Sequence, residues 1–428
     1  MSKTHATLNL SWKQIAGVVA GNGLEFYDFL IYTFFAAQIG SALFPSSGGY
    51  GLLLSLGTFG IGFLTRPLGA FVIGRMADRS GRKPAMLLAI ALMGVATVGL
   101  VLTPPYARIG ISAPVLALTF RLLQGFALGG QVGSNTAYLL EAAPPNRRGL
   151  YISLQYATQE VAIVAAGVVG LALSIVLTAH QLEVWGWRIA FAIGALIIPF
   201  GVIIQKSLKE SYVPDPLASF EAASIRHPIM AFLSGLLLIG AGTITHYTLD
   251  YLTIYAQTVL HLGTMAAFGS TLMLGLTGIF GYLASGILVD RFGRKRVMVG
   301  PWIALVLLTV PAFVFMNNRQ DLTSLLLVTA FLSILLSFAN APALVLVTEA
   351  FPQRIRAGSL GLIYALAISI FGGSAQFVET LLMRITGGIL APAWYMSAAM
   401  AIGMVGLVFL KEQGPEDPAQ SNELPQIA

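Results

Sequence analysis

Two carboxylates, Glu25 and Asp28, lie three residues apart in a run that is otherwise almost wholly apolar. Wound as a helix at about 100° per residue, Asn22, Glu25, Asp28 and Tyr32 share one face roughly 120° wide. Like charges that close in an apolar setting repel unless one takes a proton or a cation stands beside them. The pattern is that of a proton-binding site, or of two acids paired with arginines to hold helices together. A second stripe, Arg121, Gln124, Leu128, Gln131, Asn135 and Tyr138, covers about 100° of a later helix. Five polar groups on one line of an apolar helix describe the wall of a water-filled cavity. Arg121 stands out among them, because a guanidinium stays charged when buried and its planar fork grips a carboxylate with two donors. Its competing role is an ion pair with Asp28, and the two roles can alternate.

Other polar residues interrupt apolar runs in the same way. Arg66, in Thr65-Arg66-Pro67-Leu68-Gly69, is either a second anion ligand or a partner within a gate. Tyr151, Gln155, Thr158 and Gln159 form a further stripe, while Glu160 turns about 180° from Tyr151, toward a contact between helices. Thr243, His246, Asp250 and Thr253 share a face, and His246 and Asp250, at i and i+4, can touch. Imidazole beside carboxylate is the pairing a proton relay uses; a buried histidine satisfied by its neighbours is the plainer alternative. Asn340 with Ser333 and Ser337, and Glu379 with Gln376, are candidate cavity groups further along.

What must position these groups is a membrane-embedded helical bundle. The chain is 56% hydrophobic and only 10% charged, with mean hydropathy +0.81, whereas ordinary globular domains carry roughly 25% charged residues. Twelve apolar stretches, near 13–36, 50–73, 84–103, 113–140, 150–178, 188–206, 229–256, 266–289, 297–316, 323–349, 359–385 and 393–411, are long enough to cross a ~30 Å hydrocarbon core. The expectation is an all-α polytopic membrane protein. Gly125-xxx-Gly129-xxx-Gly133 should let backbones approach closely within it.

The formal charge of +6 is a topology signal rather than a nucleic-acid surface. With the N-terminus in the cytoplasm, eighteen Lys and Arg flank the cytoplasmic side and four (Arg108, Arg188, Arg319 and Arg384) the other. Both termini are then cytoplasmic. The first run, which holds Glu25 and Asp28, lacks the pattern of a cleaved leader and is expected to remain as a span. The absence of cysteine excludes disulfides, thiolate catalysis and cysteine-ligated metals.

The chain also repeats itself. Gly74-Arg-Met-Ala-Asp78-Arg79-Ser-Gly81-Arg82-Lys83 returns as Gly286-Ile-Leu-Val-Asp290-Arg291-Phe-Gly293-Arg294-Lys295, at a constant offset of 212 residues. Glu141-Ala-Ala-Pro144 with Arg148 returns as Glu349-Ala-Phe-Pro352 with Arg356, at an offset of 208. Two pseudo-symmetric halves follow: residues 1–205 with six spans, a charged and proline-bearing cytoplasmic linker at 206–228, residues 229–411 with six more, and a polar tail at 412–428 expected to be disordered. Repeated six-helix halves suit a transporter whose site lies at the bilayer midplane. Glycines allow a tight turn, Asp78 can cap a helix, and Arg79, Arg82 and Lys83 can pair with acids such as Glu141. A cluster of that kind between moving helices is a latch, made in one state and broken in the other; a basic loop that only sets topology would not need the aspartate and glycines twice.

At this point the residues resemble a known family. Both turns look like the loop motif of the major facilitator superfamily. More narrowly, Gly21-Asn-Gly-Leu-Glu25-Phe-Tyr-Asp28-Phe, Arg66-Pro-Leu-Gly, Arg121-Leu-Leu-Gln-Gly125-Phe, Trp185-Gly-Trp-Arg188 and Phe371-Gly-Gly373 resemble the metabolite–proton symporters, in order over nearly the whole chain. The stretch from Glu183 to Ser211 and the compact linker and tail make it most similar to the citrate and tricarballylate branch; the proline/betaine branch typically carries a long coiled-coil tail. The resemblance implies a major facilitator fold in the bacterial inner membrane, a small organic anion as substrate and the proton as coupling ion, with no other cofactor and a monomer as the working unit. One departure bears on coupling. Many relatives have a glutamate where this chain has Gln131, and a neutral amide cannot carry the proton, so coupling rests on Glu25 and Asp28 or on the second half.

These readings converge on proton-coupled import of an organic carboxylate by alternating access. Arg121, with Arg66, would bind carboxylate; Asn22, Tyr32, Gln124, Gln131, Asn135, Gln155, Asn340 and Glu379 would line the site. Alternatives that keep the fold are a zwitterion such as betaine or an acid such as shikimate. A membrane sensor that binds without transport is the alternative of another class. No nucleotide-phosphate loop, metal-ligand cluster or nucleophile–base motif stands out to suggest an enzyme.

Overall fold

Residues 12–45, 51–207, 210, 228–352, 354–410 and 412 are described by the structure, a computed structural model, and they are helical almost throughout. The first half comprises α1 (Trp12–Phe34), α2 (Gly51–Ile61, continued through a 3-10 turn at Gly62–Thr65 into Arg66–Ser80), α3 (Arg82–Leu102), α4 (Ser112–Ala142), α5 (Arg148–Val176) and α6 (Trp187–Ser207). The second comprises α7 (Pro228–Thr258), α8 (Thr264–Phe292), α9 (Arg294–Arg319), α10 (Leu322–Glu349), α11 (Arg356–Ala367, a π-helical turn at Ile368–Gly372, then Gly373–Thr386) and α12 (Ala391–Phe409). Among the described residues nine of these are long and apolar enough to cross a membrane. The other three, α1, α2 and α6, are of comparable length, and α1 and α2 carry the charges singled out above. Large apolar side chains such as Leu64, Ile175 and Val408 are over 70% exposed, an arrangement at ease only against lipid.

Packing follows the small residues. Added Cβ atoms on Gly125 and Gly129 of α4 would overlap the carbonyls of Gly62 and Arg66 on α2, so these two helices touch backbone to backbone. Gly133 faces elsewhere, against Ala357 and Gly361 of α11 in the other half. The halves meet along two seams, α5 on α8 and α2 with α4 on α11.

The repeated charged segment differs from a loop. α2 stays helical through Asp78 and Arg79 to Ser80, and α8 through Asp290 and Arg291 to Phe292; a single residue breaks each chain. Those residues, Gly81 at φ 108° and Gly293 at φ 92°, occupy backbone space that suits glycine. The linker reading is only partly visible, since residues 208, 209 and 211–227 lie outside the described residues, as do 413–428 of the tail.

Candidate functional site

Asp28 on α1 is buried, and its Oδ2 accepts hydrogen bonds from the Thr97 hydroxyl of α3 and the Gln124 amide of α4, both at 2.5 Å. Gln124 accepts in turn from Arg121 Nη1 at 2.6 Å. Acid and guanidinium are therefore joined through a neutral amide. The Arg121 guanidinium lies 4.2 Å from the centre of the Tyr32 ring, a cation–π contact in a desolvated place. Tyr32 donates to the carbonyl of Ser55 at 3.3 Å. Arg66, also buried, stacks 4.4 Å over Phe63, and its charge is felt by Arg121 and by Tyr247 and Tyr364 of the second half. Two guanidiniums thus converge from α2 and α4. Glu25 lies on α1 with Asp28, but its side chain is outside the described residues.

The remaining first-half candidates divide in two. Asn22 donates to the backbone carbonyl of Gln155 at 2.9 Å, and Gln155 Oε1 accepts from Thr136 at 2.7 Å, so both brace α1, α4 and α5. Gln131 and Asn135, one turn apart on α4, are wholly buried, and neither end of either amide has a hydrogen-bond partner among the described residues. Buried amides nearly always find partners, so this pair has unused capacity to bind. Tyr151 packs with Ile15 and Ala143 in an apolar cluster rather than on a cavity wall.

In the second half His246 stands 3.8 Å from Asp250 Oδ2 and, across the seam, 3.9 Å from Glu160 Oε1 of α5. Asn340 hydrogen-bonds Tyr282 and fills the space beside Gly242 of α7. Glu379 sits apart from these. It is fully buried and accepts from Thr248 at 2.5 Å, on the face of α7 turned away from His246. The 3.6-residue period placed Glu379 on a polar face but could not say which neighbour that face meets.

At the end of the bundle bearing the repeated segments, four contacts join the halves. Asp78 accepts from the backbone N–H groups of Ala357 (3.2 Å) and Gly358 (2.8 Å), in the first turn of α11. Asp290 accepts from Gly149 (2.6 Å) and Leu150 (2.9 Å), in the first turn of α5. Each aspartate thereby caps a helix of the opposite half. Arg356 lies 3.6 Å from Glu141 and Arg148 3.7 Å from Glu349. Within each half Arg82 binds Asp78 (2.5 Å) and Glu141 (2.8 Å), and Arg294 binds Glu349 (2.7 Å). Gly74 touches Gly358, and Gly286 touches Ser153. Three expected members differ. Arg79 and Arg291 are exposed, turned out by the helix that continues through them, and Lys83 instead holds the Lys206 carbonyl at 2.6 Å.

A sequence profile described as Major Facilitator Superfamily matches residues 18–365 and 270–426. The chain belongs to this superfamily. Among curated proteins it is 34% identical to a citrate-proton symporter of Salmonella typhi, over 92% of this chain and 93% of that one. It is 32% identical to the alpha-ketoglutarate permease of Escherichia coli (strain K12), over 94% of each. Among solved structures the proton:xylose symporter XylE bound to 6-bromo-6-deoxy-D-glucose superimposes with TM-score 0.78 at 14% identity, covering 94% of this chain and 96% of that one. The last likeness speaks for the fold alone. The chain is a multi-pass membrane transporter of the major facilitator superfamily, with the twelve-helix, two-half architecture, and its relatives are transporters, not enzymes.

Two features of this major facilitator protein had weaker signals in the sequence. Glu210 accepts from the backbone N–H groups of Arg82 (2.8 Å) and Lys83 (3.0 Å), and Glu412 from that of Arg294 (2.6 Å), so each caps the helix after the glycine. An added Cβ on Gly81 or Gly293 would strike these carboxylates. The signal was a third repeat, Leu208-Lys209-Glu210 and Leu410-Lys411-Glu412. The other feature is a seam of irregular backbone, where Ser369 in the π-turn of α11 donates to the carbonyl of Phe63 in the 3-10 turn of α2 at 2.8 Å. Breaks of that kind are common at functional sites. Pro67 and Gly372-Gly373 hint at them, without locating the contact.

Proposed function

We propose that this protein imports a small di- or tricarboxylate of the citrate class together with protons, by alternating access. The observation that carries the reading is the buried chain Asp28–Gln124–Arg121, which links an acid able to take a proton to a cation able to take a carboxylate. Arg121 grips one substrate carboxylate, Arg66 approaches a second, and Gln131 and Asn135 supply uncharged donors and acceptors to the rest of the molecule. Asp28, with Glu25, carries the coupling proton, and no further cofactor is called for. A neutral or cationic substrate would gain nothing from two converging guanidiniums. The citrate and 2-oxoglutarate specificities named for the two relatives support this class.

The protein works as a monomer in the bacterial inner membrane, with both termini and the latch in the cytoplasm. With its contacts made, the latch would seal the transporter toward that side. Counterflow in proteoliposomes tests the substrate class: preloaded citrate should drive uptake of labelled citrate, with 2-oxoglutarate competing and betaine and shikimate not. Competition by betaine alone, or accumulation that survives a collapsed proton gradient, would sink the reading.

A further inference from the structure

We infer that Glu160, His246 and Asp250 form a second proton-binding site, shared between the two halves and emptied or filled as they part. The inference rests on the proton-coupled reading above and adds Glu160 to it. His246 is flanked by two carboxylates, Glu160 Oε1 at 3.9 Å from Nδ1 and Asp250 Oδ2 at 3.8 Å from Nε2. A neutral imidazole has one N–H and one bare lone pair. Facing two ionised carboxylates, its bare nitrogen would oppose an oxygen, so the arrangement calls for at least one more proton, on the ring or on an acid. Both separations lie beyond direct hydrogen-bond length and within reach of one bridging water or a small side-chain shift.

Glu160 is the unusual member. Its side chain is 3% exposed, against 26% for His246 and 29% for Asp250. Its second oxygen has no hydrogen-bond partner among the described residues, and an added Cβ on Gly278 would meet its carboxyl group. The carboxyl is held in a fitted niche between α5 and α8, with the His246 ring nitrogen 3.9 Å from its other oxygen. Tyr282 of α8 and Tyr247 of α7 stand close enough to feel the charges of Glu160 and Asp250, Arg66 of α2 acts on Tyr247, and Asp250 is felt as far as Glu379 of α11 on the other face of α7.

The functional consequence comes from where the members sit. Glu160 belongs to the first half, His246 and Asp250 to the second, so any movement that lifts α7 from α5 divides the site. Separating a carboxylate from an imidazolium in an apolar seam is costly. The cost is avoided when the Nδ1–H bond of His246 breaks and an O–H bond forms on Glu160, leaving a neutral ring and a neutral acid to part. One proton stays with the first half, and none is created or lost.

The test uses wild type, Glu160→Gln and Glu160→Asp in proteoliposomes, with citrate as substrate and a pH-sensitive dye in the lumen. Counterflow needs no net proton movement, so the Gln variant should keep it within about twofold while gradient-driven accumulation falls about tenfold or more. Its proton-to-citrate ratio should drop by about one, and the Asp variant should restore part of the accumulation. An unchanged ratio in Glu160→Gln overturns the inference, as does equal loss of counterflow and accumulation. Failure of the underlying reading looks different: wild type itself would move citrate without acidifying the lumen, or would not move it.

Discussion

Gln124 lets a guanidinium and a carboxylate share one hydrogen-bonded chain without neutralising each other directly. Its amide donates to Asp28 and accepts from Arg121, so the two charges constrain a single rotamer from opposite ends. When Asp28 takes a proton it becomes a donor as well as an acceptor. The amide then loses part of its reason to face the acid, and Arg121 becomes available to a substrate carboxylate. In the proposed mechanism, binding and protonation are thereby coupled through one side chain. Arg121→Lys keeps the charge but removes the planar fork, and loss of a charge-assisted bidentate contact is worth roughly 1.5–3 kcal/mol. Citrate affinity measured by calorimetry in detergent should therefore fall about tenfold to a hundredfold. Retention within a factor of about two would remove Arg121 from the binding site. Gln124→Leu should leave citrate binding detectable and flatten its dependence on pH, because the acid and the cation no longer communicate; an unchanged pH profile would show that the amide transmits nothing.

Helices bring those side chains together because α4 presents a polar stripe on one face and glycine on others. Gly129→Ala should push α4 off the Arg66 carbonyl, since both partners at that point are backbone and neither can rotate away. Overpacking of that kind costs about 1–3 kcal/mol, expected as a lower thermal unfolding midpoint in detergent and weaker citrate binding. Gly300→Ala on α9, with nothing within 4 Å of the added Cβ, is the control and should leave both unchanged. Equal behaviour of the two variants would mean that α2 and α4 are not held by close approach. The stripe on α4 was legible in the sequence because 3.6 residues per turn orders polar residues on one helix. The association of Arg121 with Asp28 was foreseen as an ion pair, but Gln124 as the link between them was not, because periodicity gives faces and says nothing about rotation between helices. Thr97 shows the limit: one threonine in an apolar run commonly bonds the carbonyl a turn back, as Thr309 and Thr329 do here. Glu160 was legible as a charge turned toward a contact between helices, as it is here, but periodicity could not name His246 across the seam as its partner. The charged repeats were read as a turn because their composition is that of one, whereas the backbone yields at a single glycine in each.

At the scale of the whole molecule the latch has two arms whose helix caps correspond, although Asp78 also binds Arg82 within its own half. Asp78 caps α11 and Asp290 caps α5, each reaching from one half into the other, so opening this end uncaps two helices at once. A side-chain cap contributes typically about 1 kcal/mol, and independent distant sites add. Removing both caps should therefore shift the closed-to-open ratio by about thirtyfold, and removing either by about fivefold. The chain contains no cysteine, so a pair introduced at Ser80 and Phe292, both exposed at the latch end of opposite halves, can be spin-labelled without further changes. Pulsed electron–electron distances should show a longer population that grows from the parent pair, through Asp78→Ala or Asp290→Ala, to the double variant. Equal effects from the two single variants are the signature of a symmetric latch. If one arm alone opens the end fully, the repeat is a relic of duplication and only one half governs access. The expected result divides the labour differently: symmetry sets which side is open, while Asp28, Arg121 and Glu160, which the repeat does not duplicate, decide what crosses and with how many protons.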